Sequence, residues 1–157
     1  MSDSPRQSLN LDLLSEHIAL YESDPVAGHD FDTGRVGREG IAPTLLLTTT
    51  GRKSGQARSL PLIYQPVGDG FIIIGSLGGA PKHPQWYLNL VANPECEVQV
   101  GKFKYKAVAE TGEGPLRERY WDLAARTWPA YADYQVAAGE RQIPVVLLRA
   151  TAVIGTG

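Results

Sequence analysis

One cysteine, Cys96, stands in a chain of 157 residues. A single thiol excludes an internal disulfide and any Cys-x-x-Cys metal or redox motif. The three histidines, His17, His29 and His83, show no ligand spacing, so no metal site is expected. Long apolar runs are missing too. Phe71-Ile72-Ile73-Ile74 is typical, against the roughly 20 residues a membrane-spanning helix needs. No basic stretch followed by an apolar one opens the sequence, so no signal peptide is expected and the cytoplasm is the default setting. A strong excess of one charge is also absent. Fifteen Lys+Arg oppose 17 Asp+Glu, a net charge of −2, and nothing draws the whole chain to nucleic acid. There is no G-x-S-x-G nucleophile elbow, and nothing pairs Cys96 with a catalytic histidine. Cys96 reads as a small apolar filler.

What is present is the makeup of one folded domain. Hydrophobic residues form 43% and charged residues 20%, which argues against wholesale disorder. A chain of this length buries roughly 70% of its unfolded surface and needs no staples. Near the start, Leu11, Leu14, Ile18 and Tyr21 recur at helical spacing. Asp12, Glu16, Glu22 and Asp24 make the other face acidic, where a membrane-surface helix would carry Lys and Arg. Residues 23–43 are rich in Gly and Pro and read as a loop or lid. We divide the chain into an N-terminal helix and loop, 1–39, and a main body, 40–157, within one domain.

The body is β-rich. Strands are expected at 44–50, 59–66, 70–76, 97–100, 103–109 and 143–153, the last apolar enough to be central. In the fourth and fifth, Glu97, Gln99, Lys102, Lys104 and Lys106 alternate with Val98, Val100, Phe103, Tyr105 and Ala107, implying one wet face. Helices are expected at 83–91, 115–127 and 131–138, stopped by Asn93-Pro94, Pro129 and Gly139. Mostly local, antiparallel connections with a few helices make an α+β fold, a small barrel with helical caps.

Three places can carry chemistry. The first is Gly51-Arg52-Lys53-Ser54-Gly55-Gln56-Ala57-Arg58, between two strands. Glycines let the backbone turn and present its N–H groups, and with Arg and Lys these suit phosphate or carboxylate. An exposed hairpin tip that is merely basic gives the same pattern. It is not a P-loop, because no Lys-Ser/Thr follows Gly55 and no helix follows. The second is the stretch from Gly75 to Trp86, which runs from a strand through Gly78-Gly79 to a helix start. A helix N-terminus favours an anion or a polarised carbonyl, and Trp86 suits a wall for a flat ring. An ordinary strand–helix connection with a core tryptophan also accounts for it. The third is Trp121, Trp128, Tyr131 and Tyr134. Tyr131 and Tyr134 share a helix face, and phenols beside a pocket can donate to an oxygen gaining charge. Such aromatics are also common core residues.

Read in order, these segments point to a family. Thr48-Thr49-Thr50-Gly51-Arg52-Lys53-Ser54-Gly55 with Arg58, then Gly78-Gly79-Ala80-Pro81-Lys82-His83-Pro84-Gln85-Trp86-Tyr87-Leu88-Asn89-Leu90, Asn93-Pro94, and Tyr131-Ala132-Asp133-Tyr134-Gln135 ahead of Arg141-Gln142-Ile143-Pro144-Val145, resemble the deazaflavin-dependent nitroreductase family of actinobacteria. The likeness runs from about residue 40 to 152, and residues 1–39 carry no comparable signature.

The resemblance implies a mainly β split barrel of the flavin-reductase and pyridoxamine-oxidase kind. It implies an oxidoreductase that uses reduced coenzyme F420, a hydride donor with a flat ring, a phosphodiester and an oligoglutamate tail. Its acceptor would be a quinone or another planar molecule, nitro compounds included. Arg52, Lys53, Ser54 and Arg58 would bind the phosphate and tail. Pro61, Ile74, Gly75, Ser76, Leu77, Gln85, Trp86, Tyr87 and Asn89 would line the ring. Ser76, Tyr131 and Tyr134 would act on the acceptor, with Trp128 beside them in its pocket. Leu77 falls where some relatives have Lys, which bears on one cofactor contact, and Trp128 where a Tyr can occur, which changes the substrate pocket; nitroimidazole reduction is left open, while hydride transfer from the cofactor is expected. A cytoplasmic protein that meets the inner membrane face through its quinone would follow. Two alternatives stay open: the same cleft used with FMN, and a non-catalytic deazaflavin carrier.

Overall fold

Strands form where aliphatic and β-branched residues run without interruption, and here both faces of several strands are covered. A computed structural model of the chain describes residues 15–32, 41–68 and 70–156. Helix α1 (residues 15–23) is followed by α2 (Pro25–His29) and β1 (Asp30–Asp32). Strands β2 (Ile41–Thr50), β3 (Ala57–Ile63), β4 (Gln65–Val67) and β5 (Gly70–Ile74) come next. Helix α3 (Gln85–Ala92) separates them from β6 (Glu95–Val100) and β7 (Phe103–Thr111). Helices α4 (Gly114–Thr127) and α5 (Tyr131–Ala138) precede β8 (Val145–Thr156).

All pairings are antiparallel, in the order β1-β2-β6-β7-β8-β5-β4, with β3 on β2. Only Tyr64 separates β3 from β4. The segment 57–67 therefore pairs with β2 through its first half and with β5 through its second. That shared segment brings the two ends of the sheet together and curls it into a split barrel, as expected.

Period two sorts β5 and β8 into two cores. Ile73, Val146 and Leu148 point inward, with Leu45, Leu47, Trp86 and Val98. Ile72, Ile74, Val145 and Leu147 point outward and are covered by Ala124 of α4 and by Tyr131 and Ala138 of α5. Double coverage is why these strands are continuously apolar. Beyond Leu148, β8 leaves this cover, and Val153 and Ile154 are exposed.

Three expectations change. The 23–43 stretch is not all loop. Asp24 caps α2 through the Ala27 N–H, Pro25 sits in its first turn, and β1 pairs with the start of β2. The expected strand at 59–66 is two strands. Gln99 lies buried rather than on a wet face, and Phe103 is exposed. The Tyr21 hydroxyl explains Gln99. It donates toward the Thr44 and Gln99 carbonyls (2.9 and 3.0 Å) and accepts from the Gly101 N–H (2.8 Å), sealing α1 over this end of the sheet. Burial pushes the pKa of that phenol up to about 12. Of the first helical stripe, Leu11 and Leu14 lie outside the described residues; His17 joins Tyr21 on the buried side. Cys96 is buried with its thiol toward the Ala107 carbonyl, and burial raises its pKa to about 12, which suits an inert filler.

Candidate active site

A cleft of about 770 Å³ opens between the 51–58 turn, β3, the end of β5 and the start of α3. Its two halves differ chemically. Arg52, Lys53, Ser54 and Arg58 form one, and Leu60, Leu62, Ile74, Leu77 and Trp86 dominate the other. No Asp or Glu is among the described residues that line it.

The turn is closed by its own backbone. Gly51 N–H donates to the Gln56 carbonyl and Gly55 N–H to the Gly51 carbonyl, both at 2.8 Å. Gly55 takes a φ of 72° to allow this. The Ser54 hydroxyl accepts from the Gln56 N–H at 3.2 Å. Arg52 is then tied to α3. Its guanidinium donates to the side-chain carbonyls of Asn89 (2.8 Å) and Gln85 (2.7 Å), and its N–H donates to the same Asn89 oxygen. Asn89 is buried and donates in turn to the Thr49 hydroxyl at 3.2 Å. These acceptors are neutral, so the Arg52 charge is oriented without being cancelled. The first turn of α3 adds Pro84, Gln85 and Trp86 to the wall, and its end of the helix dipole is positive.

The 75–83 segment joins β5 to α3 and reaches the cleft at two residues. Ser76 and Leu77 line the cleft. Leu77 has a φ of 47°, in a left-handed region that costs a non-glycine residue roughly 1–2 kcal/mol. Its side chain remains 47% exposed at the lip. Gly79 (φ 86°) packs on α5 so closely that an added Cβ would stand 2.7 Å from the Ala137 Cβ.

The structure thus brings together Arg52, Lys53, Ser54, Arg58, Ile74, Ser76, Leu77, Gln85, Trp86 and Asn89. Pro61, Gly75 and Tyr87 are not among the lining residues. Of β3, Arg58, Ser59, Leu60 and Leu62 line the cleft and Pro61 does not. Tyr87 turns away to the Thr111 hydroxyl at 3.2 Å. Trp128, Tyr131 and Tyr134 do not line the cleft either. Tyr131 is 6% exposed in the outer core, with Trp128 and Tyr134 packed against that cluster. Burial, reinforced by Tyr134, raises the Tyr131 pKa, so this phenol stays protonated.

Leu60 and Leu62 were findable from strand period. Arg141 was not. It reaches the 75–83 segment through backbone carbonyls, which carry no sequence signature. No helix among the described residues is long and apolar enough to cross a membrane, and none of their His, Cys, Asp and Glu side chains cluster as a metal site.

Fold and cleft together define a split-barrel protein whose site suits a ligand flat at one end and anionic at the other. Comparison with known proteins narrows this. The family described as F420H(2)-dependent quinone reductase matches residues 26–150. An F420H(2)-dependent quinone reductase of Mycobacterium tuberculosis is 36% identical over 145 residues, covering 89% of this chain and 91% of that protein. A solved F420-H2 dependent reductase is 42% identical, with a TM-score of 0.64, over 68% of this chain and 94% of the other. A heme storage protein from Vibrio cholerae shares the fold alone, at 14% identity and a TM-score of 0.55, over 73% of this chain and 86% of the other. This chain belongs to the F420H(2)-dependent quinone reductase family. It is an oxidoreductase, and reduced coenzyme F420 is its cofactor.

Proposed function

We propose that this cleft holds reduced coenzyme F420 and that a quinone enters beside Ser76 and Leu77 to be reduced. The observation that carries the reading is the composition of the cleft, with three cations at one end, an apolar wall with Trp86 at the other, and no acid among its described lining residues. Arg52, Lys53 and Arg58 attract the phosphate and the acidic tail. Leu60, Leu62, Ile74, Leu77 and Trp86 exclude water from the ring and from an apolar acceptor.

When bound, the reduced cofactor supplies a hydride. The chain's own contribution is mainly positioning. The Ser76 hydroxyl, buried in the cleft wall, donates a hydrogen bond to the acceptor oxygen as it gains charge. No strong base is required. Tyr131 and Tyr134 act from behind this wall, through α5 packed on the 77–79 turn.

Titration of the purified protein with oxidised and reduced F420, with FMN as control, followed by stopped-flow oxidation by menadione, tests the reading. Tight F420 binding and rapid oxidation are expected. FMN binding in place of F420 would overturn the cofactor assignment, and F420 binding without turnover would leave a carrier.

A further inference from the structure

Arg141 lies between α5 and β8, outside the cleft, yet holds one of its walls. Its Nε donates to the Ala80 carbonyl at 2.9 Å. Nη1 donates to the Gly75 carbonyl and to His83 Nδ1, both at 3.0 Å, and Nη2 to the Ser76 carbonyl at 2.7 Å. The four acceptors span the whole connection from β5 to α3. The arginine is anchored in turn, because its carbonyl accepts from Gln135 Nε2 at 2.8 Å and Gln135 Oε1 accepts from the Ile143 N–H at 3.0 Å. The acceptors are backbone oxygens and an imidazole nitrogen, so ion pairing does not explain the choice of residue. A planar fork that donates in several directions at once does, and lysine has none.

Inside the clamped segment sits Leu77, with its φ of 47°. A non-glycine residue keeps such a conformation only where its surroundings over-determine it. Carbonyls on both sides of Leu77, at Gly75, Ser76 and Ala80, are held by the one guanidinium. The geometry points to Arg141 as a positioning residue for hydride transfer: it fixes the 75–83 segment so that Ser76 and Leu77, the two of its residues that line the cleft, face the bound ring and acceptor. The kinetic consequence rests on the cleft being the cofactor site; the clamp itself does not.

The test is Arg141→Gln, read first without any ligand. Amide hydrogen exchange over residues 75–83 rises, while the core amides of β8 keep their protection. With cofactor and menadione, kcat falls roughly 10- to 100-fold, the scale of a displaced wall. The dependence of cofactor affinity on tail length, set at the 51–58 turn, is retained. Arg141→Lys recovers little, since one ammonium cannot reach all four acceptors. Unchanged exchange at 75–83, a uniform rise that includes β8, or unchanged kcat would each overturn the proposal. If Arg141→Gln does not fold, Arg141→Lys is read by the same measurements, and loss of the fold in both makes the residue generally structural and overturns it too. Failure of the wild-type protein to bind F420 sinks the cleft reading instead, and the exchange result still decides the clamp.

Discussion

The side-chain oxygen of Asn89 accepts twice from Arg52, from the guanidinium at 2.8 Å and from the N–H at 3.2 Å. One buried amide therefore sets both the backbone and the charged head of the cationic turn. Its oxygen is taken by Arg52 and its amide donates to the Thr49 hydroxyl, so under the proposed function Asn89 acts mainly by orienting Arg52.

Replacing Asn89 by Ala removes these bonds. A hydrogen bond to a charged group contributes about 1.5–3 kcal/mol, so cofactor affinity is expected to fall about tenfold or more. Fluorescence titration measures it. Asn89→Asp leaves a negative charge beside Arg52 and weakens binding of the anionic tail further. Affinity unchanged in Asn89→Ala would show that Arg52 needs no such support.

Arg52→Ala with Lys53→Ala weakens binding progressively as the glutamate tail lengthens, because each added carboxylate loses more of its attraction. Raised salt diminishes the wild-type preference for long tails in the same way. Binding indifferent to tail length in the wild-type protein would rule out the turn as the tail site.

Ser76→Ala and Tyr131→Phe separate the cleft donor from the buried phenol. Ser76→Ala lowers kcat with menadione and leaves cofactor affinity near wild type. Tyr131→Phe has the smaller effect on kcat, because the phenol lies in the outer core. Steady-state kinetics on both variants decides between them, and the reverse order would return Tyr131 to the acceptor side.

Stability carries a signature from His83. Burial, then the Arg141 charge, lowers its pKa below the ordinary 6.5. A folded-state pKa below the unfolded one means that the unfolded chain binds the proton first. The contribution is full above pH 6.5 and is lost as pH falls from there through the folded value. Denaturant unfolding of wild type and His83→Asn across this window measures it, and His83→Asn loses less stability on acidification. Parallel curves would contradict the assignment.

Much of the architecture was legible because local chemistry dictates it. Helix α5 matches its expected bounds, Tyr131–Ala138, because Gly139 takes a φ of 65° that ends it. Strands β5 to β8 follow from apolar runs and period two. The division of residues 59–66 at Tyr64 was hidden, since the break exists only because one segment serves two partners, β2 and β5. Likewise, Asp30–Asp32 has no strand character of its own and pairs only because β2 is beside it.

By itself, the sequence determined the β-rich class, the basic turn, the glycine-bearing connection to α3 and the family resemblance, all properties of residues near one another along the chain. The tertiary structure decided which of them meet. It gathered the 51–58 turn, Ser76, Leu77 and the first turn of α3 around one cleft, and it placed Tyr131 in the outer core. It also gave Arg141 its role. Burial and backbone hydrogen bonding across long separations depend on the path of the whole chain, here 66 residues from Gly75 to Arg141, and no local pattern encodes that path.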